Sequence, residues 1–156
     1  MKKYYLYLKY VVIHKVYVFI ECCKLGILLR GILHDFSKFY PSEMIPNVKF
    51  HYGPDKKVIR NKSGYYRKFE CGDEIFESSY LLHVRRNDHH WHYWSVTKDD
   101  GTTKEFPMSN GARKEMLADW IGAAKAQRRC HKTWYWNNKE KIIIHPETRK
   151  WIEENL

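Results

Sequence analysis

The chain has no Cys-x-x-Cys spacing, no internal repeat, no low-complexity tract and no uninterrupted apolar run of membrane-spanning length. Four cysteines occur, Cys22, Cys23, Cys71 and Cys130, and the first two are sequence neighbours, poorly placed to bridge each other. This usage predicts reduced thiols in a cytoplasmic protein. The start, Met-Lys-Lys followed by apolar residues, imitates a secretion signal. Lys9, His14, Lys15 and Glu21 interrupt it, and no small-residue cleavage site follows. A membrane span needs about 20 mostly apolar residues, so neither targeting nor insertion is expected. Acidic residues are also in short supply, 18 Asp and Glu against 28 Lys and Arg, for a formal net charge of +10. A field of that sign favours anionic partners, phosphate-bearing ones first, although a basic surface also serves solubility alone.

At 156 residues, the chain is expected to fold as a single domain, 1–156, around one core. Residues 3–25 lack Pro and Gly and predict a long helix ending near Gly26. His14 shares a face of it with Tyr7, Tyr10, Val11, Val18 and Glu21, so its ring points inward. A short second helix is expected over 27–39, stopping before Pro41. Residues 40–72, rich in Pro, Gly, Asn, Lys and Tyr, read as a long excursion with little regular structure. Its Lys56, Lys57, Arg60 and Lys62 suit either a lid or a solvated loop. A third helix is expected from Asp73 to about Arg86, and a turn at Lys98-Asp99-Asp100-Gly101. A fourth helix, capped by Ser109 or Asn110, should run to about His131, with Gly122, Ala123, Ala124 and Ala126 allowing close packing. Residues 133–141 are ambiguous, and Pro146 can start a last helix to Leu156. No convincing strand is present, and the fold class expected is all-α.

The most telling residues are His34-Asp35, inside His34-Asp35-Phe36-Ser37-Lys38-Phe39, with His14 upstream and Asp119 far downstream. Between them lies His83-Val-Arg-Arg-Asn-Asp-His89-His90-Trp91-His92, four imidazoles in ten residues. Neutral imidazoles and carboxylates suit Zn, Mn, Fe, Co or Ni alike. Adjacent His34 and Asp35 would diverge by about 100° on a helix but can both reach an ion seated at its end. Lys38, three and four residues on, can hold a phosphate oxygen beside it. Each residue taken singly also fits a plainer role. His14 suits a hydrogen-bonded core histidine, Lys38 a surface lysine, and Asp119 a buried salt bridge. Asp119, flanked by Met116, Leu117 and Trp120, is costly to bury without a cation or donor. Among the clustered histidines, His83 and His90 are the favoured ligands, then His89, with His92 last.

The order His14, His34-Asp35, Asp119 resembles the HD-domain superfamily of metal-dependent phosphohydrolases, and the added His83 and His89-His90 resemble its multi-metal branches. His34-Asp35-Phe36-Ser37-Lys38 is similar to the His-Asp-x-Gly-Lys string of HD-GYP cyclic dinucleotide phosphodiesterases, with Ser37 in place of Gly and no Gly-Tyr-Pro signature. More closely, His34-Asp35-Phe-Ser-Lys38-Phe, Asn87-Asp-His89-His90-Trp91-His-Tyr-Trp94 and Glu115-Met-Leu-Ala-Asp119-Trp120 resemble an uncharacterised, DUF5662-like family of small phage and bacterial proteins. The superfamily resemblance implies a compact helical bundle with one or two divalent metal ions at its centre, located in the host cytoplasm if the chain is phage-encoded. It further implies hydrolysis of a nucleotide or cyclic nucleotide. In that scheme the metal ligands are His14, His34, Asp35, His83, His90 and Asp119. Lys38, Arg85 and Arg86 bind substrate, while Asp35, Lys38 and His89 serve catalysis. Two other readings fit the same residues: an HD-type diiron oxygenase, and a non-catalytic protein that binds a nucleotide or nucleic acid.

Overall fold

In a computed structural model the described residues are 1–54, 62 and 64–156. Helices dominate: α1 (Lys2–Lys24), α2 (Leu28–Leu33), α3 (Pro41–Tyr52), α4 (Glu74–Arg86), α5 (Asn110–Ala126), α6 (His131–Asn138) and α7 (Pro146–Asn155). One antiparallel hairpin, β1 (Ser95–Thr97) with β2 (Thr103–Glu105), pairs Val96 with Lys104. It departs from the strand-free expectation. The Asp100-Gly101 turn was legible, with Gly101 at φ +80°, but strands of three residues are too short to show an alternating pattern.

Three further expectations are corrected. The helix foreseen over 27–39 stops at Leu33. His34 takes φ −46°, ψ 127°, Asp35 turns left-handed at φ 53°, and a 3₁₀ turn covers Phe36–Phe39. The Lys15 ammonium donates to the His34 carbonyl and so caps the broken end. The supposed excursion 40–72 holds a three-turn helix, α3. Pro41 occupies its first turn, where the missing N–H costs nothing, and Phe50 stacks on Phe76 with centroids 4.1 Å apart. Of its proposed lid residues, Lys56, Lys57 and Arg60 lie outside the described residues, and Lys62 is exposed. The helix foreseen to His131 ends at Ala126, because Arg128 at φ 54° reverses the chain and His131 opens α6. No helix among the described residues is long and apolar enough to cross a membrane.

The packing that matters for the site is α1 against α5. Tyr7, Val11, His14, Val18, Glu21 and Cys22 form the buried face of α1. Ala112, Glu115, Met116, Ala118 and Gly122 are among those buried on α5. Gly122 lets the two backbones meet: a Cβ there would lie 2.5 Å from Val18 Cγ2 and 2.9 Å from the Val18 nitrogen. Side-chain rotation cannot relieve a clash with backbone. Gly122→Ala is therefore expected to cost about 1–3 kcal/mol by overpacking, a fall in Tm of roughly 2–12 °C for a domain of this size, read by thermal unfolding. A Tm equal to wild type would mean the helices do not meet as closely as described.

Candidate metal centre

Five segments converge at Asp35. His14 comes from the middle of α1, and His34 and Asp35 from the break after α2. His83 comes from the last turn of α4, and His89 and His90 from the loop that follows. Glu115 and Asp119 lie one turn apart on α5. The left-handed Asp35 backbone explains how two adjacent residues share one target: the helical divergence expected of them disappears once the helix ends at Leu33.

On one side of Asp35, His14 Nε2 lies 3.6 Å and His34 Nε2 3.2 Å from Oδ2. Asp119 Oδ1 stands 3.0 Å from His14 Nε2 and 3.5 Å from His34 Nε2. On the other side, His83 Nε2 and His89 Nε2 each lie 3.4 Å from Oδ1, and His90 Nε2 is 2.8 Å from His83 Nε2. An ion about 2.1 Å from each donor places neighbouring donors about 3.0 Å apart in octahedral and about 3.4 Å in tetrahedral coordination. The pairs just given are close to that spacing, all donor atoms within each set of four, His14-His34-Asp35-Asp119 and Asp35-His83-His89-His90, lie within 4.8 Å of one another, and either cluster could hold a metal ion.

Asp35 is 1 % exposed, and neither oxygen has a well-formed hydrogen bond. A carboxylate so placed requires positive charge. Lys38 supplies part of it, its ammonium in close contact with Oδ2. Burial would raise the Asp35 pKa, but His34, Lys38 and His83 together hold it well below the usual carboxylate range. Asp119 is likewise held low against its burial by hydrogen bonds from His14 and His34. Burial also disfavours charge on His34, yet Asp35 and hydrogen bonds to Asp119, Asp35 and Glu115 raise its pKa well above the ordinary value. Burial, then the neighbouring His89 and His83, pushes His90 far down. A field strong enough to raise the pKa of a buried imidazole against its desolvation offers a divalent cation the same attraction.

A second layer of carboxylates fixes the rings. Glu115 Oε1 accepts from His34 Nδ1 at 2.9 Å and from His89 Nδ1 at 3.1 Å. This turns both Nε2 atoms toward Asp35. Glu115 also groups with His34 and His89 as donors that could hold a cation, but its oxygen sits on the Nδ1 side, so orientation is its better role. Its pKa falls to about 2 despite burial, because the two imidazoles bond to it. Arg30 donates to its other oxygen at 2.6 Å. Glu43, 1 % exposed in the first turn of α3, does the same for His83. Its Oε2 accepts from His83 Nδ1 and from Ser37 Oγ, each at 2.9 Å, while Arg86 donates to Oε1 at 2.8 Å. Neither glutamate was assigned a role from sequence. Glu115 had a local signal, the four-residue spacing to Asp119 on one helical face; Glu43 had none. Glu115→Gln keeps the shape but cannot accept two N–H groups at one anionic oxygen. It should weaken metal affinity by about 10–100-fold, read by competition with a chromophoric chelator. Unchanged affinity would make Glu115 a bystander.

A cavity of about 870 Å³ opens from these donors. Lys38, Lys68, Arg129 and Lys141 contribute to its wall, with Tyr65, Trp120 and Trp134 among its rings. Arg85 and Arg86 do not line it. They border a smaller recess beyond His89, and Arg86 is engaged with Glu43. His92 lies on the cavity wall outside both donor sets, its ring stacked on Trp91 and its pKa pushed down to about 4 by burial and Lys68.

Comparison with known protein families matches residues 3–156 to DUF5662, described as a family of unknown function. The chain belongs to that family. No curated protein and no solved structure matches it. Membership in DUF5662 names no activity, so the chemistry rests on the donors around Asp35.

Proposed function

We propose that this DUF5662 chain is a metal-dependent phosphohydrolase of the HD type. The observation that carries the proposal is Asp35, a buried carboxylate between two sets of donors, of which His14, His83, His89, His90 and Asp119 line a cationic cavity. His14, His34, Asp35 and Asp119 would hold one divalent ion, and Asp35, His83, His89 and His90 a second. Ions bound there supply Lewis acidity to a phosphoryl group and water acidic enough to attack near neutral pH.

The protein's own groups do the rest. Asp35 presents one oxygen to each donor set and so ties their positions together. Lys38, raised above its ordinary pKa chiefly by Asp35 against its burial, stays charged and can stabilise phosphoryl oxygens. His89 has Nδ1 engaged by Glu115 and Nε2 turned toward Asp35. It serves here as a ligand, not as the proton donor to the leaving group. Lys68, Arg129 and Lys141 draw an anionic substrate into the cavity, and their charge favours hydrolysis over the diiron oxygenase that the same donors would also suit. Arg85 and Arg86, away from the cavity, take no part in this scheme.

Elemental analysis of purified protein, then phosphate release from nucleotides and cyclic dinucleotides with Mn²⁺ or Co²⁺, tests the reading. Metal-dependent release that Lys38→Met lowers by about 10²–10³-fold, with metal content unchanged, supports it. Stoichiometric iron with O₂ consumption and no phosphate release overturns it in favour of oxygenation. Tight binding of a nucleotide recovered intact overturns it in favour of sequestration.

A further inference from the structure

Helix α1 is apolar on two opposite faces. One carries His14 and packs on α5. The other carries Tyr5, Val12, Val16 and Ile20, flanked by Leu8 and Ile13, and is exposed along its length. These positions recur at the three- and four-residue intervals of a helix-packing seam. No described residue covers them, and Lys9 and Cys23 are the other residues on that stripe. Helix α2 adjoins it, seated on Phe19 and Cys22 through Gly31, whose added Cβ would lie 2.7 Å from Cys22 Cβ. Leu29, Ile32 and Leu33 of α2 are exposed as well, Leu29 to 72 %.

Together these side chains leave on the order of 1,000 Å² of apolar surface in water, against about 300–600 Å² for the largest patch of a typical monomer and about 800 Å² per partner in a standard interface. The face thus has the area a stable dimer needs. We infer that a second copy of this chain covers it, α1 packing antiparallel on α1 about a two-fold axis near residue 14. A patch without charge at its centre is complementary to itself, as an isologous contact requires. Charge at its edges sets the direction. In a parallel pair, Lys2 and Lys9 would face their own copies. In the antiparallel pair, Lys9 meets the partner's end of the stripe, near Phe19 and Ile20, and its stem can lie along them. The candidate metal centre of each copy lies on the face of α1 turned away from the seam, so the inference is independent of the activity proposed above.

Sedimentation equilibrium of the full chain should give twice the chain mass at micromolar concentration. Val12→Glu with Val16→Glu should raise the dissociation constant at least roughly 100-fold, since the two-fold axis places four carboxylates in one apolar seam. Both positions are exposed, and circular dichroism verifies that the variant keeps its helices. Double labelling decides the direction. In a Cys71→Ser, Cys130→Ser background, spin labels on Cys23 should lie roughly 25–30 Å apart from backbone spacing alone, whereas a parallel pair brings them into contact. A monomer at 100 µM, a chain-length series of open assemblies, or a Cys23 pair in contact each overturns the proposal. So does a wild-type monomer that floats with phosphatidylserine vesicles, which would assign the face to a lipid surface.

Discussion

Asp35→Asn is expected to abolish turnover, by about 10³-fold or more, and to reduce bound metal to at most one equivalent. The substitution is well controlled. Asparagine tolerates the left-handed backbone that Asp35 adopts at φ 53°, and it differs from aspartate by little in volume. What it removes is the negative charge between two imidazole sets whose Nε2 atoms stand 3.2–3.6 Å from the carboxylate oxygens. An amide offers one oxygen where the carboxylate offers two, so it cannot face both sets, and the ions would repel each other without the shared anion. Lys38 and His34 also lose their counter-charge. Breaking a buried ion pair from one side costs about 3–5 kcal/mol, so the metal-free variant should unfold at a lower temperature than metal-free wild type. Metal analysis, turnover and thermal unfolding on one preparation check all three. Full metal occupancy with wild-type turnover would remove Asp35 from the chemistry and with it the site as drawn. Lys38→Met separates the roles, because it should lose turnover and keep metal.

The donors were legible because their residue types are rare in a helical core and each sits at a place that local rules identify. His14 was assigned to the inner face of α1 by its spacing to Val11 and Val18, and Asp119 stood out among Met116, Leu117 and Trp120. The carboxylates behind the rings were not legible. Glu43 lies 40 residues from His83 and reaches it only because α3 packs on α4. α3 itself was read as loop, since Pro41 and Pro46 punctuate a short helix whose stability comes from burying Val48 and Phe50. The break at His34-Asp35 escaped notice for a related reason. Residues 27–39 contain no Pro and only Gly31, and the left-handed turn at Asp35 is imposed by tertiary contacts, among them the Lys15 cap and Tyr7, whose hydroxyl donates to the Lys38 carbonyl at 3.1 Å. The cationic residues of the cavity, Arg129 and Lys141, follow α5 in segments whose sequence gives no cue to where they point. Local pattern located the candidate donors; long-range packing decided what holds and surrounds them.

Chelation is expected to lower Tm by at least about 8 °C, because occupancy at roughly 1,000 times Kd contributes about 4 kcal/mol per ion and each kcal/mol moves Tm by about 2–4 °C at this chain length. The pH dependence of this gain follows from the imidazoles. In the metal-free protein His34 and His89 have pKa values above the ordinary 6.5: burial lowers each, and their carboxylate partners more than restore it. Each holds its proton to higher pH than a free imidazole does, and a metal ion must displace it. His83 and His90 are held below 6.5 by burial and are already neutral, so they release none. Asp35 and Asp119, held low, stay ionised throughout. Loading both sets should therefore release protons from His34 and His89, and each released proton raises apparent affinity about tenfold per pH unit below those raised values. The stabilisation by metal is accordingly fullest above the raised values of His34 and His89 and is lost progressively as pH falls below them. Calorimetric titration in buffers of different ionisation enthalpy counts the protons, and Tm with and without chelator from pH 5.5 to 8.5 follows the gain. A metal-dependent Tm gain that is flat across that range would mean that His34 and His89 are not the groups that yield to the metal. A chain whose Tm ignores chelator at every pH would mean that the donors around Asp35 hold protons and Lys38, and nothing else.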